Sequence, residues 1–142
     1  MNELKSDAIV DYTLAGNATV TLQSGNTGVH FTYKVKQSKT QENLYFIHLL
    51  SGPDNEDDYQ YIGCYYSDTC YFHPAKPWKD KMQMAWPASL RAISFFFDNL
   101  YNIPNNLHVY HEGRCGRCGR KLTTPESIQR GLGPECYRRN SQ

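Results

Sequence analysis

The chain contains 142 residues with a formal net charge of +1, and 39% of its residues are hydrophobic and 13% aromatic. This length is typical of one domain with room for a small appendage, and the composition excludes both a large multidomain assembly and a disordered chain. The balanced charge also excludes a bulk electrostatic field that would draw the whole protein to nucleic acid or anionic lipid.

The first half of the chain predicts antiparallel strands. Hydrophobic and polar residues alternate over 18–35 around a turn rich in Gly, Asn and Ser, which is typical of a β-hairpin. Residues 44–50 and 59–66 repeat the arrangement around a polar loop at 51–58. Residues 70–72 add a short strand. These segments predict an antiparallel meander.

After Pro87 the spacing of hydrophobic residues changes from alternation to a helical period, and proline is suited to the first position of a helix. We predict an amphipathic helix over 87–101 that packs on one face of the sheet. Its apolar face contains Leu90, Ile93, Phe97, Leu100 and Tyr101, with Phe96 at the edge. Residues 107–110 are short and extended in character, and they lead directly into a group of cysteines.

The most specific signal is a metal site near the C-terminus. His111, Cys115, Cys118 and Cys136 have the spacing H-x3-C-x2-C-x17-C, and three thiolates with one imidazole are a common tetrahedral zinc set. Glycines around the first cysteine pair favour a tight knuckle, and Cys136 opens a last helical turn. This arrangement is typical of a treble-clef module, and four protein ligands predict a structural Zn²⁺ rather than a catalytic one.

The fourth ligand has two candidates, because His108 also lies close to the cysteines. We favour His111 since a gap of three residues lets the chain turn back onto one ion. A short helix between the ligand pairs is predicted from Thr124 as its N-cap to Gly131 as its end. A redox role for the first pair is disfavoured because glycines and a third cysteine surround it.

These patterns together predict an α+β fold with two parts. The body, residues 1–107, is an antiparallel meander with one packed helix, and residues 108–142 form a zinc-binding tail module. Cys64 and Cys70 are expected to be buried free thiols, since the odd number of cysteines and the absence of a signal-peptide pattern favour a reducing cytoplasm.

The C-terminal segment resembles the tail of an uncharacterised family of small proteins carried by phages, plasmids and other bacterial mobile elements. The resemblance lies in H-E-G-R-C-G-R-C-G-R at 111–120, L-T at 122–123, P-E-S-I at 125–128 and G-L-G-P-E-C at 131–136. The stretch 16–31, the strand at Phe46 and the turn at 61–63 resemble the β-rich part of longer members. The resemblance implies a mobile-element origin and a zinc-binding tail, but no activity.

Charge is distributed unevenly, because residues 111–142 carry a formal +4 and residues 1–110 a formal −3. The tail therefore offers candidate contacts to phosphates, bases or a partner protein: Arg114, Arg117, Arg120, Lys121, Arg130, Tyr137, Arg138 and Arg139. Alternatively, these arginines stabilise a zinc–thiolate cluster of net charge −1. The tyrosines at 59–71 are equally suited to a stacking platform, a protein-binding face or half-buried core.

Two functional hypotheses follow. In the first, the β-rich body is a protein-binding surface, and the protein inhibits or redirects a complex of its bacterial host. In the second, the basic zinc tail binds DNA or RNA directly. The near-neutral chain favours the protein partner, since dedicated nucleic-acid binders usually carry a marked basic excess. We expect no enzymatic activity because nucleophile elbows, phosphate loops and H-E-x-x-H helices are missing from the sequence.

Overall fold

The computed structural model describes residues 2–54 and 57–140, and these form an α+β fold. Seven strands make up its sheet: β1 Asn2–Glu3, β2 Asn17–Ser24, β3 His30–Gln37, β4 Leu44–Leu50, β5 Tyr59–Tyr66, β6 Tyr71–Pro74 and β7 Leu107–His111. The helices are α1 Ser6–Thr13, α2 Ala88–Asp98, α3 Pro125–Arg130 and α4 Pro134–Asn140, with 3-10 turns at Trp78–Asp80 and Gln83–Ala85. Among the described helices, none has the length and apolar character needed to cross a membrane.

The sheet is antiparallel, with the strand order β1-β7-β2-β3-β4-β5-β6. The predicted meander is confirmed, because β2 to β6 are neighbours in chain order. After β6 the chain returns through α2 to the opposite edge of the sheet, where β7 pairs with β2 and β1 pairs with β7. The polar connection between β4 and β5 was predicted at 51–58, of which Asn55 and Glu56 lie outside the described residues.

The predicted helix is present but shorter than the sequence suggested. It covers Ala88–Asp98, and Pro87 occupies the N-cap position instead of the first helical position. One assignment to its apolar face was wrong, since Tyr101 is 65% exposed, whereas Phe96, which was placed at the edge of that face, is fully buried. Tyr101 lies beyond the helix end and so does not continue its face.

Helix α2 covers one face of the sheet and completes the main core. The ring of Phe97 stacks on Tyr65 with 4.2 Å between centroids. At the start of the helix, the Tyr33 hydroxyl donates a 2.6 Å hydrogen bond to the Ser89 carbonyl. Helix packing and a buried hydrogen bond therefore hold α2 on β3 and β5, and the chain beyond it is directed back toward β2.

Helix α1 and strand β1 were not predicted from the sequence. Ile9 and Tyr12 of α1 are buried in the same core as Val20 and Val109 of the central strands. Eight residues supply little helical period, so the helix depends on this packing rather than on its own propensity. Because α1 also contacts α3, it lies between the sheet and the C-terminal residues.

The thiols of Cys64 and Cys70 are both free, as expected. The expectation that both are buried was wrong: Cys64 is half-buried, and Cys70 is exposed in a tight turn between β5 and β6 where its φ is 56°. Within this turn the Cys70 thiol donates a 3.6 Å hydrogen bond to the Ser67 carbonyl.

Candidate metal centre

The C-terminal cysteines lie on a compact knuckle that follows β7. The Cys115 amide donates to the Arg120 carbonyl at 2.8 Å, and the Gly119 amide donates to the Cys115 carbonyl at 3.0 Å. Gly119 adopts a φ of 78°, a left-handed conformation that glycine accepts without strain. The glycines predicted to permit this reversal therefore do so, and the two cysteines of the pair face the same side.

Cys136 joins the pair from α4. Helix α3 begins as predicted, because the Thr124 side chain accepts a hydrogen bond from the Ser127 amide, and it ends at Gly131 with a φ of 73°. The left-handed turn lets the chain reverse into Pro134–Asn140, which carries Cys136 in its first turn. Local capping signals thus bring a distant third cysteine back to the knuckle.

The three sulfurs form a group with donor atoms all within 4.8 Å of one another. Tetrahedral zinc thiolates place sulfur about 2.3 Å from the ion, so three sulfurs at this separation fit one metal ion. Cys115 is buried, Cys136 is half-buried and Cys118 is exposed. The structure therefore supports a metal-binding group of three cysteines, and its donor set is soft enough to suit zinc.

The pKa values of the sulfurs reflect a mutual repulsion that a bound cation relieves. Burial opposes ionisation of Cys115, but amide groups of Cys118, Gly133 and Arg117 outweigh it and lower its pKa to about 7. Burial and the neighbouring sulfurs raise the pKa of Cys136 to about 11. Three thiolates so close repel one another, and a divalent ion removes that repulsion.

His111 is not brought to this group, although the sequence favoured it as the fourth ligand. Its Nε2 donates a 2.6 Å hydrogen bond to the Ile128 carbonyl, and its Nδ1 accepts one from the Gly113 amide at 3.0 Å. Both ring nitrogens are therefore engaged, as in a neutral imidazole. Burial lowers the pKa of His111 further than the Ile128 carbonyl raises it.

His108, the other candidate, also lies elsewhere. Its Nδ1 is 2.7 Å from a carboxylate oxygen of Glu3 on the neighbouring strand β1. Among the described residues, no fourth His, Cys, Asp or Glu donor joins the three sulfurs. The group faces a hollow of about 330 Å³ whose walls include Arg120, Thr123 and Arg139.

Tyr12 of α1 joins this module to the sheet, and the sequence analysis did not single it out. Its hydroxyl donates to the Thr19 carbonyl at 2.8 Å and accepts from the Thr19 amide at 3.0 Å. Its ring packs against Gly116 and Gly131, where an added Cβ would clash with it. The glycines of the tail were the available sequence signal for this contact, because Gly116 and Gly131 leave room for the Tyr12 ring in addition to forming turns.

The predicted contact residues surround the sulfurs unevenly. All are exposed except Arg130 and Tyr137, which are half-buried and pack together with the guanidinium 3.9 Å from the ring centroid. One face of Tyr137 is therefore covered and not open for base stacking. Seven of these residues are basic: Arg114, Arg117, Arg120, Lys121, Arg130, Arg138 and Arg139. None of the seven forms an ion pair with a described carboxylate.

Comparison with known proteins gives a match only for the C-terminal region that contains the cysteine group. The model of a family described as "Family of unknown function (DUF6011)" matches residues 106–141. The match begins just before β7, includes the three cysteines and covers about a quarter of the chain. No curated protein and no solved structure matches the chain significantly. The comparison thus places the cysteine group within a recurring segment and assigns it no activity.

Proposed function

We propose that this chain is a non-enzymatic binding protein of bacterial mobile-element origin, whose tail is held together by a structural Zn²⁺ ion and whose partner is a protein of the host cell. An apolar groove on the body supports the protein partner. The cysteine group supports the zinc ion, with Cys115, Cys118 and Cys136 as its ligands.

A structural role for the ion follows from the size of the tail. Its buried hydrophobic residues form a small cluster separate from the main core, consisting of Cys115, Leu122 and Leu132 with a few half-buried neighbours. So few side chains bury little apolar surface, and an ion bound only by the folded state adds its binding free energy to folding.

Metal analysis of the purified protein tests this part. The wild type should carry about one zinc ion per chain, and Cys118→Ser should lose it and melt at a lower temperature. Cys70→Ser is the matched control, because Cys70 is an exposed thiol outside the group, and it should keep the ion. Wild-type protein without bound metal, or a Cys118→Ser variant that retains it, contradicts the proposal.

The groove that supports a protein partner lies between α2 and the hairpin of β2 and β3. It has a volume of about 420 Å³ and is lined mainly by apolar side chains, among them Leu22, Phe31 and Leu107. Val29 and Phe95 at its margins are 53% and 47% exposed. Exposed apolar surface beside a preformed groove is typical of a site that receives the apolar face of a partner's amphipathic helix.

Affinity capture from host cells tests the protein partner. Wild-type bait should recover one dominant complex, and Phe95→Asp should abolish its recovery by placing a charge in an apolar contact. Tyr101→Asp is the control, since Tyr101 is also an exposed aromatic residue, at 65% against 47% for Phe95, but lies outside the groove. This part of the proposal is refuted if the wild-type bait recovers no more protein than an empty bait, or if Phe95→Asp recovers the same complex as the wild type.

A second candidate function is direct binding of nucleic acid by the tail. It is favoured by the exposed basic side chains beside the cysteine group that lack ion pairs with described carboxylates, because such side chains are free to neutralise phosphates. Arg117→Ala with Arg120→Ala should weaken binding and flatten its salt dependence. The pair Lys39→Ala and Lys79→Ala removes the same charge from exposed sites elsewhere and should change binding little.

A further inference from the structure

A row of aromatic side chains is exposed on the face of the sheet opposite α2. This aromatic face is formed by Phe46 and His48 of β4, Tyr61 and Tyr66 of β5, and Tyr71 and His73 of β6. Phe46, Tyr61 and Tyr71 are 37%, 44% and 59% exposed. An isolated exposed ring is ordinary, but two groups of touching rings on three adjacent strands mark a contact surface.

The rings touch one another across the strands. The Tyr61 ring contacts Phe46 and His48 edge-on, with centroids 6.3 and 5.5 Å apart. The His73 ring lies 4.5 Å from Tyr71 and 5.5 Å from Tyr66. Edge-on contacts orient the rings while leaving parts of their flat faces in solvent, where a planar group can stack.

A β-bulge places Tyr61 on this face. The register runs from Ile47 opposite Gly63 to His48 opposite Tyr61, so Ile62 is an extra residue. Ile62 turns into the main core as a result, and Tyr61 turns outward beside His48. Bulges commonly re-aim a side chain at a functional surface.

The strands of this surface carry positive charge only. Strands β3 to β6 contain no Asp or Glu, whereas Lys36 lies opposite Phe46 and Lys34 lies opposite His48 in the register. Burial and the ammonium groups of Lys36 and Lys34 together lower the pKa of His48. A ligand over these strands therefore meets aromatic rings and cations without opposing carboxylates from the strands themselves.

The carboxylates near this face lie outside its strands: Asp68 is exposed in the turn between β5 and β6, and Glu42 precedes β4. Glu112, after β7, adds to burial in raising the pKa of Tyr59, and Tyr59 already has the Lys34 ammonium 4.3 Å from its ring centroid. The cations of this face are Lys36 and Lys34 on β3, so a negatively charged ligand is favoured over β3 and β4 rather than beside the turn between β5 and β6.

We propose that the aromatic face binds single-stranded nucleic acid, with bases stacked on Phe46, Tyr61 and Tyr71 and the phosphate backbone near Lys36. Base stacking on exposed rings in a positive surface is the usual mode of sequence-tolerant single-strand binding. Charge complementarity favours this occupant over a basic or purely apolar protein surface. The site is separate from both the α2 groove and the metal-binding tail, and it does not depend on the proposed protein partner.

Fluorescence anisotropy with labelled oligothymidine and oligouridine at low salt tests the proposal on the full chain. Wild type should bind, and Tyr61→Leu should weaken binding about 10-fold, since one stacked base is lost. Tyr61→Phe keeps the ring and should bind as wild type does. Tyr101→Ala removes an exposed tyrosine outside the aromatic face and should have no effect, and circular dichroism checks that each variant is folded.

Three outcomes would overturn the inference. The wild type fails to bind either oligomer at low salt; Tyr61→Leu binds as tightly as Tyr61→Phe; or binding is insensitive to Tyr61 but lost in Arg117→Ala with Arg120→Ala. The last result would assign single-strand binding to the tail instead. Recovery of a host protein through the α2 groove is a separate measurement, so either proposal can fail while the other stands.

Discussion

Replacing Gly116 by alanine tests whether the C-terminal tail is docked rigidly on the body. A Cβ at this position would lie 2.7 Å from Cδ1 of the Tyr12 ring and 2.9 Å from the Tyr12 carbonyl oxygen. The ring is 1% exposed and held by two hydrogen bonds to Thr19. Because one of the clashing atoms belongs to the backbone, a side-chain rotation cannot relieve the overlap.

The expected loss follows from the usual cost of overpacking a tight core, about 1–3 kcal/mol. A chain of this length shifts its melting temperature by about 3 °C per kcal/mol, so Gly116→Ala should melt roughly 3–9 °C below wild type. Glycine-to-alanine changes at unstrained, open positions instead stabilise by about 0.4–1 kcal/mol through the unfolded state. The sign of the effect therefore distinguishes a docked glycine from a free one.

Thermal and urea unfolding of the zinc-loaded protein provide the measurement. Gly133→Ala is the matched control, because an added Cβ there meets nothing within 4 Å, and it should be neutral or slightly stabilising. Both glycines belong to the tail, so a shared effect on metal binding would move both variants. If Gly116→Ala is as stable as Gly133→Ala, the docking of the tail against Tyr12 is refuted.

Three further predictions concern the hydrogen bonds of individual side chains. Tyr12→Phe should destabilise the protein by about 1–3 kcal/mol in urea unfolding, because the amide and carbonyl of Thr19 both lose their partner; an unchanged midpoint would contradict this. Tyr33→Phe should cost about 1 kcal/mol by freeing the Ser89 carbonyl, and a loss below 0.3 kcal/mol, roughly, would show that water replaces the bond. His111→Gln should keep one zinc ion per chain by metal analysis while lowering the unfolding midpoint, and loss of the ion would make His111 a ligand after all.

The cysteine group was predictable because its determinants are local. A C-x2-C pair flanked by glycines forms a knuckle within a few residues, and the capping signals at Thr124 and Gly131 place the returning helix. The histidine was not predictable in the same way. Whether His111 faces the sulfurs or the Ile128 carbonyl depends on how β7 and α3 pack, and spacing along the chain contains no information about that packing.

The sequence by itself determined the strand segments, the presence of the α2 helix and the grouping of three cysteines, since each depends on hydrophobic period or on short-range turns. Only the tertiary structure decided the pairing of β7 with β2, the helix α1 and the side of the sheet on which Tyr61 lies. Strict alternation would have placed Tyr61 on the same side as the buried Tyr65, and the extra residue Ile62 reverses this. The reason is that alternation is a property of one strand, whereas a bulge exists only in relation to the strand that pairs with it.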